Sequence, residues 1–224
     1  MQDAQNITDF ILKDRRQSTL LSDGVEQALV ELGCALAVKV DDHALTDLLQ
    51  QVGGSMTPAQ LQAALLHAIG YLGVPPTQRA LRLLREQSDN GEQVSPTPPA
   101  ELIAPSRQER IDRGIQLYDQ FEPGRAAKQA ERFSHFSDKY YPYALEISGL
   151  TLQSPELTLR QRQCMTVAIL ACCGIEPQLK FHLGVAQRVG LTAAEIAGIL
   201  LYVQAYAGVP RANGAALIAS EVFV

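Results

Sequence analysis

The chain has 224 residues, a formal net charge of −5 and 46% hydrophobic residues. That length allows one large domain or two small ones. The acidic balance argues against a nucleic-acid partner, which needs a basic stripe, and no apolar run reaches the roughly 20 residues that span a bilayer.

The opening MQDAQNITDFILKDRRQ lacks the apolar h-region of a signal peptide. A cytoplasmic protein is therefore expected, with no membrane and no nucleic acid among its partners. Helical patterning starts near residue 20 and runs to about 88. Ser88 to Ser106, SDNGEQVSPTPPAELIAPS, carries four of the twelve prolines and reads as an extended linker. RQERIDRGIQLYDQF follows as a polar amphipathic helix whose alternating charges suit a solvated face. GRAAKQAERFSHFSDKYYPYALEISGL gives one or two more helices. Thr158 then caps LRQRQCMTVAILACC, which ends at Gly174, a residue suited to a left-handed helix cap. Pro177 suits the first turn of the next helix. There Leu179, His182, Ala186 and Val189 recur on one face. Thr192 and Glu195 make a capping box for IAGILLYVQAYAG, which ends at Gly208, and Pro210 opens a last helix. No β-type alternation of useful length occurs, so the chain is expected to be all-α.

The chain also repeats itself. MTPAQLQAALLHAIGYLGVP (Met56 to Pro75) and LTAAEIAGILLYVQAYAGVP (Leu191 to Pro210) are identical at eight of twenty positions, at an offset of 135. Chance would give about one in twenty, so internal duplication is the expected cause. The expected organisation is a diverged N-terminal copy over 1–88, a Pro-rich linker over 89–106, and a C-terminal copy over 107–224. The four cysteines, Cys34, Cys164, Cys172 and Cys173, form no CxxC, and buried reduced thiols are the simpler expectation.

The stretch LTLRQRQCMTVAILACCGIEPQLKFHLGVAQRVGLTAAEIAGILLYVQAYAGVPRANGAALIASEVF resembles the carboxymuconolactone decarboxylase family. RIDRGIQLYDQF and YPYALEISGLTLQSPELTLRQRQ resemble the lead-in of its decarboxylase branch. The resemblance implies two tandem alkyl hydroperoxidase D-like helical units and a fused pair that assembles as a homotrimer mimicking a hexamer. The peroxidase branch of that family carries a glutamate and, later, C-x-x-C-x-x-x-H, whose thiols form a redox disulfide. Its histidine falls on His182, its cysteine positions on Ile175 and Gln178, and its glutamate on Gln163. With the thiol pair missing, a peroxidase mechanism is not expected. In the first copy Glu26 is matched with Gln163, and Asp41 and Leu45 with Gln178 and His182.

The decarboxylase branch also lacks the thiols. The resemblance therefore implies cofactor-free decarboxylation or proton transfer on a small carboxylated lactone or related acid, with His182 moving the proton and Gln163 beside it. Ile175, Gln178 and Tyr206 are the candidate substrate-binding residues, and no metal or cofactor is expected. Two other readings stand beside this one. His182 on an apolar stripe also fits a satisfied core histidine, and the chain also fits a non-catalytic oligomeric scaffold or small-ligand binder. Tyr71 and Tyr206 precede G-V-P in both copies and suit packing. Tyr140, Tyr141 and Tyr143 suit a pocket mouth or a subunit contact. His67 matches Tyr202, with no partner evident from sequence.

Overall fold

A computed structural model describes Ile11, Lys13, Asp14, residues 21–87 and residues 106–223. The expected linker lies outside the described residues apart from Ser106. Among the described residues there are eleven α-helices and no strand, as expected. They are α1 (Gly24–Val38), α2 (Asp42–Gly53), α3 (Pro58–Leu72), α4 (Val74–Gln87), α5 (Arg107–Phe121), α6 (Arg125–Ser134), α7 (Tyr140–Thr151), α8 (Leu159–Cys173), α9 (Glu176–Arg188), α10 (Ala193–Ala207) and α11 (Val209–Val222). None is long and apolar enough to cross a membrane.

Local chemistry explains where these helices begin and end. Capping boxes start α3 (Thr57 with Gln60), α5 (Ser106 with Glu109), α8 (Thr158 with Gln161) and α10 (Thr192 with Glu195). Each box satisfies amide N–H groups that the first helical turn leaves without partners. Gly174 ends α8 at φ 68°, a left-handed conformation that glycine adopts without steric cost.

The helix bounds keep one offset along two parts of the chain. α1 and α8 have 15 residues each, as do α3 and α10, and α4 and α11 have 14 each. All three pairs are displaced by 135, and α9 starts only one residue early relative to α2. Four residues follow α2 before α3 begins, and four follow α9 before α10, so no insertion interrupts the register. His182 therefore stands 135 residues beyond Asp47, and Gln163 beyond Ala28. The match expected from sequence, with two extra residues in the first half, pairs them instead with Leu45 and Glu26.

These two parts share their interior. α1 packs along α8, where Gly33 leaves just enough room: a Cβ there would come within 3.1 Å of Met165 Cγ. Val30 and Cys34 of α1 lie in the core built mainly by α8–α11, while Met165 and Ile169 of α8 lie in the core built by α1–α4. α3 also rests on α8, and α10 on α1. Arg160 reinforces the contact, reaching Glu26 at 2.7 Å and Glu195 at 2.5 Å.

The intervening helices form a third layer. α5 and α7 touch backbone to backbone, because a Cβ on Gly114 would overlap the Leu145 carbonyl and one on Gly149 the Arg110 carbonyl. Arg107 and Arg110 are not simply a solvated face, since both grip Glu146, at 3.0 and 2.6 Å. A small core of Leu117, Phe121, Leu152 and Val185 seals this layer onto α9. That seal carries Phe121, and with it the start of α6, to the side of His182.

Candidate functional site

His182 lies on the inner face of α9 with 7% of its surface exposed. Its Nδ1 is 2.9 Å from Oε1 of Gln163, which is fully buried on α8. An amide oxygen only accepts, so Nδ1 carries the proton and donates it, and the bare lone pair of the neutral ring is on Nε2. Three aromatic rings stand edge-on to the imidazole: Phe181 at 5.1 Å, Phe121 at 5.5 Å and Tyr71 at 5.6 Å between centroids. Burial first, and the nearby Arg125 charge second, push the His182 pKa down to about 3. The resting ring is therefore neutral at physiological pH.

A second histidine lies behind Tyr71. His67 of α3 is 2% exposed, and its Nε2 is 2.8 Å from Thr166 Oγ1 on α8. Its ring is 5.2 Å from that of Tyr71. Its pKa also falls to about 3, through burial first, then the Arg162 charge and the repulsion that a second proton on His182 would bring, partly opposed by a backbone contact to Arg162. Tyr71 is pushed well above the usual phenol range by burial, an effect that Thr166 partly opposes.

Two guanidinium groups frame this cluster. Arg125 opens α6 directly after Gly124, whose φ of 73° lets the chain turn sharply. Its Cζ sits 3.6 Å over the Phe181 ring, and Nη1 reaches Glu122 at 3.3 Å. Arg162, half-buried on α8, holds the Ser154 carbonyl at 3.1 Å. Four buried polar atoms in this neighbourhood have no partner among the described residues: Gln163 Nε2, His67 Nδ1, Arg125 Nε and Arg162 Nε. Each such atom costs about 1–3 kcal/mol, and proteins rarely gather several in one place. At least three of them are N–H donors, on Gln163, Arg125 and Arg162.

The residues expected at the site are distributed unevenly. His182 and Gln163 are brought into direct contact. Ile175 is exposed at the start of α9, and Gln178 is exposed one turn before His182. Tyr206 donates its hydroxyl to Glu31 Oε1 at 3.0 Å on α1. The tyrosine ring against His182 is instead Tyr71, 135 residues earlier. Glu26 is held by Arg160. Tyr140 and Tyr143 are exposed, whereas Tyr141 is buried beside Tyr118.

The thiols do not approach the histidine's role. Burial raises the pKa values of Cys34, Cys164 and Cys173, which opposes thiolate formation. No group of three or more His, Cys, Asp or Glu side chains suited to a metal occurs among the described residues. Sequence reading missed Phe121, Arg125, Arg162, Thr166 and the site role of His67 and Tyr71. The one available signal was His67, a polar side chain inside an otherwise apolar stretch of α3.

Residues 139–221 match the carboxymuconolactone decarboxylase family. Over 97 residues the chain is 29% identical to a 4-carboxymuconolactone decarboxylase of Acinetobacter baylyi, an alignment spanning 43% of this chain and 72% of that relative. The family match includes Arg162, Gln163, Thr166, Phe181 and His182. His67, Tyr71, Phe121 and Arg125 come from outside it.

Proposed function

Residues 139–221 of this chain belong to the carboxymuconolactone decarboxylase family, and from that premise we propose that the chain decarboxylates a small carboxylated lactone or related acid, with His182 handling the proton. The observation that carries this reading is the set of unpartnered buried donors around a neutral, tautomerically fixed histidine. Arg125 and Arg162 supply charge and N–H groups for a carboxylate and for a second oxygen. The aromatic walls exclude water and strengthen those contacts.

The chemistry balances without a further reactant. The bond from ring carbon to carboxylate breaks and CO2 leaves. The electron pair enters the unsaturated lactone as a dienolate, which the buried donors stabilise. His182 then delivers a proton to carbon. In sum, one substrate carboxylate and one proton give one product and one CO2. The imidazole gains its proton as the anion enters, because the incoming carboxylate sets an opposite charge against the burial and, second, the Arg125 charge that disfavour the imidazolium.

The probe is 4-carboxymuconolactone, followed by ultraviolet absorbance. His182→Ala is expected to lower kcat about 10²–10⁴-fold, the usual range for a lost general acid or base. Arg125→Gln is expected mainly to raise KM, by about 10-fold or more, for one lost charged hydrogen bond. Equal turnover by wild type and His182→Ala removes His182 from the reaction. A ligand-binding role without turnover is favoured by one feature, the amide of Gln163, which fixes the tautomer but cannot exchange a proton. Saturable binding of the probe with no CO2 release decides for that role.

The matching helix lengths, the 135-residue offset and the shared interior support reading the two parts as tandem copies. We read the fused pair as the unit of a homotrimer, with exposed Val209 and Leu217 on α11 as contact candidates. Sedimentation is expected to give about three chains per particle, and a monomer refutes this assembly.

A further inference from the structure

A small cavity of about 70 Å³ lies among α1, α2 and α10. That is well above the roughly 10–15 Å³ that one water requires. Its walls include Gln27, Ala28 and Glu31 of α1, Gln51 of α2, Tyr202 of α10, and Ser55. Gln51 and Ser55 are exposed, whereas Ala28, Glu31 and Tyr202 are buried, so the cavity has an open side and a closed floor.

Four of these residues stand 135 positions from members of the His182 cluster. Gln27 corresponds to Arg162, Ala28 to Gln163, Glu31 to Thr166 and Tyr202 to His67. Two of the exchanges alter charge. A guanidinium becomes a neutral amide, and a hydroxyl becomes a carboxylate. Both move in the same direction, so the positions that hold a cation beside His182 hold an anion here. Arg125 comes to His182 on α6, and among the described residues this cavity takes no lining from that helix.

The carboxylate is fixed in place. Glu31 is 2% exposed. Tyr206 donates to its Oε1 at 3.0 Å, and Gln51 Nε2 reaches its Oε2 at 3.5 Å. Gln27 Nε2 donates to the Leu21 carbonyl at 2.6 Å. Both glutamines thus engage protein oxygens with their NH2 ends, and the end each has to offer a guest is its oxygen. With the Glu31 carboxylate and the Ser55 hydroxyl, the lining is rich in acceptors. A carboxylate in a poorly hydrated recess is weakly screened, so it attracts a cation and repels an anion more strongly than at the surface.

We propose that this cavity is a second binding site, specific for a primary ammonium group seated on Glu31. The proposal goes beyond the decarboxylase reading and does not depend on it. A primary ammonium brings one positive charge and three N–H donors, which match a carboxylate and its neighbouring amide and hydroxyl oxygens. The volume admits the head group, and the open side leaves room for a substituent. Free ammonium and the amine of a larger molecule share this chemistry.

The test titrates the full chain with methylammonium chloride at constant ionic strength. NMR follows the side-chain amides of Gln27 and Gln51 and the carboxyl carbon of Glu31. Saturable shifts of these resonances are expected in wild type. Potassium chloride and tetramethylammonium chloride supply cations without N–H donors and are expected to leave them in place. A parallel titration with ammonium chloride separates the sources: tighter methylammonium assigns the site to amines, and affinity at least as high for ammonium assigns it to the free ion. Glu31→Gln, which keeps an oxygen for Tyr206, should weaken binding at least about 10-fold, for one lost charged hydrogen bond. Ala28→Leu fills the cavity while keeping the carboxylate, and should abolish the shifts. Circular dichroism reports the fold of both variants, and Ala28→Leu decides if Glu31→Gln does not fold. Three results overturn the proposal: no saturable shift in wild type, equal shifts with potassium, or undiminished affinity in either folded variant.

Discussion

Replacing Gln163 with glutamate tests the electrostatic description of the site. The amide oxygen is 2.9 Å from His182 Nδ1, in a position with no exposed surface. A carboxylate there places opposite charges roughly 4 Å apart. At an effective dielectric constant near 20 this gives about 4 kcal/mol of attraction. One pKa unit corresponds to about 1.4 kcal/mol, so the imidazolium should gain about three units, rising from about 3 to about 6. Desolvation of the new carboxylate works against this gain, and the pair titrates as a unit. The replacement also removes the unpartnered Nε2 donor of Gln163. The assay is NMR of the His182 ring across pH 4–8, with circular dichroism to confirm the fold. Wild type should show no His182 titration in that window, whereas Gln163→Glu should show one near its centre. A folded Gln163→Glu protein whose His182 ring stays silent from pH 4 to 8 refutes the placement of Gln163 on Nδ1.

Other perturbations follow from the same contacts. His67 and His182 each have a folded-state pKa of about 3, against about 6.5 unfolded. Between those values the unfolded chain binds more protons, so stability is fully present above about pH 6.5 and falls as pH drops towards 3, by up to roughly 5 kcal/mol for each histidine. Urea melts from pH 7 to 4.5 should show this loss, and His182→Phe should reduce its slope; an unchanged slope contradicts it. Arg160→Met leaves the buried Glu26 carboxylate without its main partner. Because Arg160 is itself partly exposed, the expected cost is about 2 kcal/mol, below the full buried-pair range, and a melting midpoint equal to wild type refutes the clamp. Gly149→Val forces α7 off the Arg110 carbonyl and should cost a few kcal/mol. It should also loosen Phe121 and Arg125, seen as a raised KM for the lactone probe. Normal stability in that variant would show that α5 and α7 are not locked by this contact.

The fold was legible because its punctuation is local. Thr158, Gly174, Thr192, Glu195 and Gly208 mark helix ends through hydrogen bonds made within a few residues, and the structure places caps at each. The contact of His182 with Gln163 was legible in part, since family resemblance picks out both and the fold brings them to 2.9 Å. The remainder of the site was not. Phe121 and Arg125 reach His182 only because Gly114 and Gly149 let α5 and α7 close on each other. His67 and Tyr71 reach it because α3 crosses onto α8, a contact between residues 99 positions apart at His67 and Thr166. No local pattern encodes such crossings. The repeat misled in one respect: Tyr206 looked equivalent to a site residue, whereas the exchange of third helices puts Tyr71 at His182 and Tyr206 at Glu31. Similarity between the two stretches locates positions 135 residues apart, and the chemistry differs because Thr166 in one stretch stands where Glu31 stands in the other.

The most direct test of the central claim is CO2 release from the lactone probe by the purified full chain, measured together with loss of ultraviolet absorbance. The account predicts one CO2 per lactone consumed, at a rate well above the spontaneous one and abolished in His182→Ala. Absorbance and CO2 that stay at the spontaneous rate with folded wild-type protein contradict it.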